Sequence, residues 1–174
     1  MILKPQDVVV SLKHLSIREE GWSYNKLALD LGMSPSEVHA ATKRAIRARL
    51  LVEHGDRIAP YIRNLEEFLL HGLSYVYVAE VGGSARGILT GFSAPVLQRM
   101  GPSLASSAVA YVWPSVTGEA RGQSVSPLYR SVPVAVRNDS KLYVLLALVD
   151  ALRVGRARER EIASDMIGRE LRGL

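Results

Sequence analysis

Residues 34–51, SPSEVHAATKRAIRARLL, constrain the chain more than any other stretch. Ser34 is a favoured N-cap, Pro35 suits the first helical position, and Glu37 stands three residues after the cap. Together these form a capping box with a proline inside it, which fixes where a helix starts. At ~100° per residue, Val38, Ala41, Thr42 and Ala45 fall on one side. Ser36, Ala40, Lys43 and Arg47 fall on the other, with His39 and Arg44 at its edges. One face is therefore small and mostly apolar, and the other is polar at its start and basic towards its end. Such a helix is either an ordinary solvated amphipathic helix or one shaped to lie in a nucleic-acid groove. In the second case short polar side chains sit near base edges and long cations reach phosphates.

The flanking residues bear on that choice. Residues 5–15 read as a helix, with Val8, Leu12 and Leu15 at helical spacing and Val9 and Ile17 extending the apolar side. Residues 18–21 are polar and end in Gly21, a turn. Ser23 caps a second helix over 24–31 that faces inward through Leu27, Ala28 and Leu31. Gly32 then stands where a left-handed C′ residue is expected. A short helix, a glycine turn and a capped second helix make a helix-turn-helix signature. Downstream, Leu50, Leu51 and Val52 and then Ile58 flank a polar turn with Gly55 and Asp56 inside it, which predicts a small hairpin.

Residues 22–58, WSYNKLALDLGMSPSEVHAATKRAIRARLLVEHGDRI, resemble the winged helix-turn-helix of MarR-like bacterial regulators. In that family the helix-to-wing junction often reads Gly-Leu, whereas here Arg49 precedes Leu50. The resemblance implies a sequence-specific, double-stranded-DNA-binding transcriptional regulator. On that reading Ser36, His39, Ala40 and Lys43 face base edges, and Ser34, Arg44, Arg47 and Arg57 hold phosphates. A homodimer is expected because one helix in one groove reads few bases and two-fold pairing doubles the contact.

The expected architecture is mainly α with some β (α+β). Residues 1–63 form the winged helix-turn-helix with its small β-wing. Residues 64–174 form a mixed, largely helical domain for dimerisation and for binding an effector or a protein partner. Pro60 closes the first unit, and residues 64–73 read as a linker helix capped by Asn64, with Glu67 at N3 and Leu65, Phe68, Leu69 and Leu73 inward. YVYVAEV, 75–81, is either a strand or a prolongation of that helix. GGSARGILTG, 82–91, carries four glycines in neither a dinucleotide-binding nor a Walker spacing, so it reads as a mobile surface loop. Residues 94–100 predict a short helix, 101–107 a loop, 108–113 a strand, 115–127 another glycine- and serine-bearing loop, and 132–137 a short helix. The region around 75–130 reads as an irregular packed subdomain, with a small-molecule pocket or a protein contact as alternatives.

SKLYVLLALVDALR, 140–153, is apolar almost all round, so it is buried in the core or between subunits. A buried Asp150 needs a partner, and Arg153 is the nearest. Residues 156–171 form a last amphipathic helix with the stripe Ala163, Ile167, Leu171. Arg153, Arg156 and Arg160 on this stretch are either part of a charge-laced surface or a cationic ridge towards DNA or an acidic partner.

Charge and composition fit this outline. The formal charge is +5. Lys and Arg outnumber Asp and Glu by three in 1–63 and by two in 140–174, and are balanced in 64–139, so the cationic excess sits at the two ends. Cysteine is absent, which removes disulfides, thiolate metal sites and cysteine nucleophiles and suits a reducing cytoplasm. No apolar run reaches membrane-spanning length, and the polar break at residues 4–7 makes a poor signal peptide. His14, His39, His54 and His71 share no metal-binding spacing, and no nucleophile elbow occurs. No enzyme, cofactor or metal is therefore expected. The alternative function is a protein-binding winged-helix module, such as an antitoxin-like partner of a neighbouring protein.

Overall fold

A computed structural model describes residues 2–17, 21–100 and 109–173. It is mixed α and β and mainly helical. Helix α1 (Pro5–Ser16) is followed by α2 (Tyr24–Leu31), α3 (Pro35–Arg47) and the antiparallel strands β1 (Leu51–His54) and β2 (Arg57–Pro60). Then come α4 (Ile62–His71), the single turn α5 (Leu73–Val76), β3 (Val81–Thr90), a 3-10 turn (Gly91–Ser93) and α6 (Pro95–Met100). Strands β4 (Tyr111–Pro114) and β5 (Ala120–Val125), the turn α7 (Val132–Ala135), and helices α8 (Ser140–Val154) and α9 (Ala157–Arg172) complete it. The loop expected at 101–107 and most of the turn expected at 18–21 lie outside the described residues. Among the described residues no helix is long and apolar enough to cross a membrane.

Helix α1 is the hub. Every residue from Asp7 to Ile17 is buried, because α3, β2 and α8 all pack on it. Its polar residues are satisfied by neighbours. Asp7 accepts the Nε and Nη2 of Arg44 on α3 at 2.6–3.0 Å and the Lys4 amide at 2.8 Å. Lys13 reaches Asp30 of α2 at 3.0 Å and Asp139, the N-cap of α8, at 2.9 Å. Burial works against the Lys13 charge, but the two carboxylates outweigh it and hold its pKa above the ordinary value. One buried apolar cluster runs from Val8 through Leu69, Trp113 and Leu146 to Leu171, with no gap at residue 63.

Helix α3 ends at Arg47, and Leu51 opens the hairpin as expected. Arg49 adopts a left-handed φ of 59°. The linker helix starts at Ile62, with Tyr61 as its cap. Asn64 lies inside its first turn and donates to the Arg49 carbonyl at 3.1 Å, across the junction.

The middle of the chain departs most from the sequence reading. Residues 82–91 are not a surface loop, and 115–127 is not wholly one: β3 and β5 are strands, closed with β4 into a three-stranded barrel. β3 runs antiparallel to both partners. It pairs with β5 through Arg86↔Arg121 and with β4 through Ile88↔Trp113, while β4 and β5 are parallel at Tyr111↔Gln123. Three strands leave no interior for side chains, so backbones must touch. A methyl group at Gly87 would overlap the Trp113 carbonyl, one at Gly118 the backbone of Gly87, and one at Gly122 the Ala110 carbonyl. The glycines that looked like loop residues are what permits closure. Residues 75–81 split between the readings, with a helical turn to Val76 and strand from Val81.

Helix α8 crosses beneath the barrel. Asp150, 1% exposed, accepts from Thr90 Oγ1 at 2.8 Å, from the Trp113 indole and from Arg153 Nη1 at 2.7 Å. Arg153 also donates to the carbonyls of Tyr77 and Ser126. Burial pushes the Asp150 carboxyl up, and Arg153, Thr90 and Trp113 pull against it. The partner expected for Asp150 is thus the one observed. The Arg153 side chain is 3% exposed, which takes it out of any surface ridge with Arg156 and Arg160.

Candidate nucleic-acid interface

The exposed side of α3 is built by its buried side. Val38, Ala41, Thr42 and Ala45 are fully covered by α1 and α2, and Thr42 turns its hydroxyl back to the Val38 carbonyl at 2.8 Å. The small inward residues let α3 seat closely, which turns Ser36, His39, Lys43 and Arg47 to solvent, with Ala40 half-buried among them. Helix α2 ends as Gly32 enters the left-handed region at φ 60°, and its last carbonyls are taken by Gly32 and Met33. Both helix ends at this turn are therefore fixed before any ligand arrives. The β1–β2 hairpin follows, turning at Gly55 (φ 59°) with Arg57 exposed.

The capping box is complete. Ser34 Oγ accepts the Glu37 amide at 3.2 Å and donates to Glu37 Oε2 at 2.8 Å, and that oxygen also accepts the Ser34 amide. These bonds, with the Tyr129 hydroxyl, hold the Glu37 carboxyl below its ordinary pKa. Among the described residues Lys43 and Arg47 make no ion pair, whereas Arg44 is committed to Asp7 with its side chain 13% exposed. That pair holds α3 to α1 and leaves Arg44 no reach towards a phosphate. His39 packs edge-to-face on Tyr24 at 5.0 Å, Tyr24 on Trp22 at 5.2 Å, and Trp22 on His14 at 4.8 Å. A ladder of rings thus runs from the core to the outer face of α3. His14 at its buried end has its pKa pushed down to about 4 by burial, and its Nε2 has no partner among the described residues.

Two residues join this surface that sequence spacing could not reveal. Tyr129 donates its hydroxyl to Glu37 Oε1 at 3.0 Å, and Arg130, 81% exposed, lies 3.5 Å from the same oxygen. They arrive from beyond the barrel, more than 90 residues away in sequence, and nothing local marks them. Among the described residues, the cleft where the 3-10 turn meets the end of α8 holds about 10 Å³, room for about one water. Among the described residues no group of three His, Asp or Glu could hold a metal ion.

Comparison with known proteins gives no matching family model, no matching curated protein and no matching solved structure.

Proposed function

We propose that the unit from α1 to β2 is a winged helix-turn-helix and that the protein binds double-stranded DNA as a transcriptional regulator. The observation that carries this reading is the division of α3. Its inner face is consumed by the core, while Ser36, His39, Lys43 and Arg47 stand exposed on a helix rigidly capped at its start. Ser36, His39, Ala40 and Lys43 face base edges in this proposal. Arg47 and Arg57, with Ser34 at the helix start, meet phosphates. Arg44 is left out, since it is spent on Asp7. The test is a gel shift with the duplex upstream of the protein's own gene against a scrambled duplex of equal length. Preferential retention of the upstream duplex supports a sequence-reading regulator; equal or no retention contradicts it.

Of the two places the sequence left open for helix 140–153, core or subunit seam, burial within the chain favours the core. The apolar stripes of α8 and α9 are covered within the chain, since Leu142, Leu146, Leu148, Ile167 and Leu171 are all buried. Among the described residues Leu29, Val116 and Val134 are exposed singly, whereas Tyr75, Val76, Val78 and Val81 are exposed hydrophobics that follow one another along the chain. We place the two-fold contact there, and light scattering should give twice the chain mass, falling to the single mass in Tyr75→Lys/Val78→Lys. The same run favours the second reading, a protein-binding module of the antitoxin kind. A partner retained from lysate after nuclease treatment, with no bound duplex, would select it.

A further inference from the structure

The barrel closure gathers arginines that are far apart in sequence. Arg86 and Arg121 are direct cross-strand partners in the antiparallel β3–β5 pair, which puts both side chains on one face. Both are exposed. Arg86 donates Nε to the Gly118 carbonyl at 2.6 Å, in the turn between β4 and β5. Arg137 donates Nη2 to the Thr117 hydroxyl of the same turn at 2.7 Å, and Thr117 lies 3.0 Å from the Ser115 hydroxyl. Two guanidinium groups therefore bond to one turn, with Arg121 across the ladder from one of them; among the described residues none of the three pairs with an acid, and Glu119 in that turn makes no ion pair either. Like charges directly across a ladder are destabilising. Barrel closure needs the glycines beside these arginines, and it needs nothing from the Arg121 cation.

The cluster connects to α3. Residues 129–137 wind helically, through backbone bonds from Val132 to Tyr129 and from Arg137 to Val134. Arg130 and Arg137 flank the single helical turn α7, one on each side of it along the chain, and both are exposed. Arg130 stands at the start of α3 beside Glu37, and Arg137 stands at the barrel turn. Val134, between them, packs by the Gly32 turn that joins α2 to α3. At 1.5 Å per residue the run covers roughly 10 Å, about three nucleotide steps at ~3.4 Å each.

We infer that Arg130, Arg137, Arg121 and Arg86 form a second contact with the phosphate backbone of duplex DNA, continuing outward from the start of α3. The inference rests on the DNA-binding reading above and assigns the barrel a role in it. Four exposed cations supply the counterion-releasing contacts that a short helix presenting Lys43 and Arg47 lacks.

The experiment measures affinity for a duplex at several salt concentrations for wild type, Arg121→Ala/Arg137→Ala and Arg121→Lys/Arg137→Lys. Hydroxyl-radical footprints and thermal melts accompany each. Arg86 is left alone because it bonds a backbone carbonyl of the turn, whereas Arg137 meets only an exposed hydroxyl there. The alanine pair should lower the log–log salt slope by about two units and weaken binding roughly tenfold or more near 0.15 M. It should also lose protection at phosphates flanking the α3 site, with melting unchanged. The lysine pair should keep most of the slope. An unchanged slope and footprint in the alanine pair overturns the second contact while leaving α3 as reader. Absence of duplex binding by wild type overturns both.

Discussion

The segment from α1 to β2 and the β3–β5 barrel are both small, and both lean on α8, yet they are specified in different ways. In the first, each element is announced by residues next to it: Ser34, Pro35 and Glu37 start α3, Ser23 starts α2, and Gly32 ends it. In the second, the determining residues act at a distance. Gly87 matters because Trp113 passes over it, and Gly118 because Gly87 does. Glycine in the first unit bends the chain, and glycine in the second lets backbones touch. The two regions should therefore fail differently when perturbed.

The largest loss is expected where the barrel is bolted to α8. Asp150→Ala leaves the Arg153 guanidinium buried without its carboxylate and should cost about 3–5 kcal/mol in denaturant unfolding. A loss under ~1 kcal/mol would mean that the Tyr77 and Ser126 carbonyls suffice. Next comes Gly118→Ala, one methyl group forced into the Gly87 backbone, which should cost about 3 kcal/mol. Gly55→Ala, at the open hairpin tip where nothing lies near the added carbon, pays only for its positive φ and should cost about 1 kcal/mol. Equal costs at these two glycines would erase the distinction between the regions.

A pH titration sharpens the comparison from the other side. Burial lowers His14 from 6.5 to about 4 in the folded chain. Between those values the unfolded chain takes up a proton that the folded chain refuses. Stability should therefore be full above pH ~6.5, decline as pH falls, and level off below pH ~4, for a total near 3 kcal/mol. His14→Leu should flatten that part of the profile; an unchanged profile would assign it to other groups. The smallest effect belongs to Arg49, which holds a left-handed φ of 59° at the junction of α3 and β1. Arg49→Gly should raise stability by up to about 1 kcal/mol in thermal unfolding, and a fall in melting temperature would show that the arginine side chain holds the junction.

The same contrast explains what could be read from sequence. The limits of α2, the start of α3, the hairpin and the burial of α8 follow from neighbours within a few residues. So does the pairing of Asp150 with Arg153. The Asp7–Arg44 pair joins residues 37 apart, and Tyr129 reaches Glu37 across 92, so neither leaves a local pattern. Residues 82–91 and 115–127 looked like loops because glycine and serine are the residues of turns, and only the pairing of three strands turns them into requirements. Lys43 and Arg47 were readable as an outward face; that Arg44 turns inward depends on a buried acid at the far end of another helix.

Whether that outward face meets nucleic acid is decided most directly by the salt dependence of duplex affinity for Lys43→Ala/Arg47→Ala beside wild type, with melting curves to confirm the fold. The account predicts weaker binding and a slope reduced by about one unit for each lost phosphate contact. Wild-type affinity and slope in a folded double variant would contradict it.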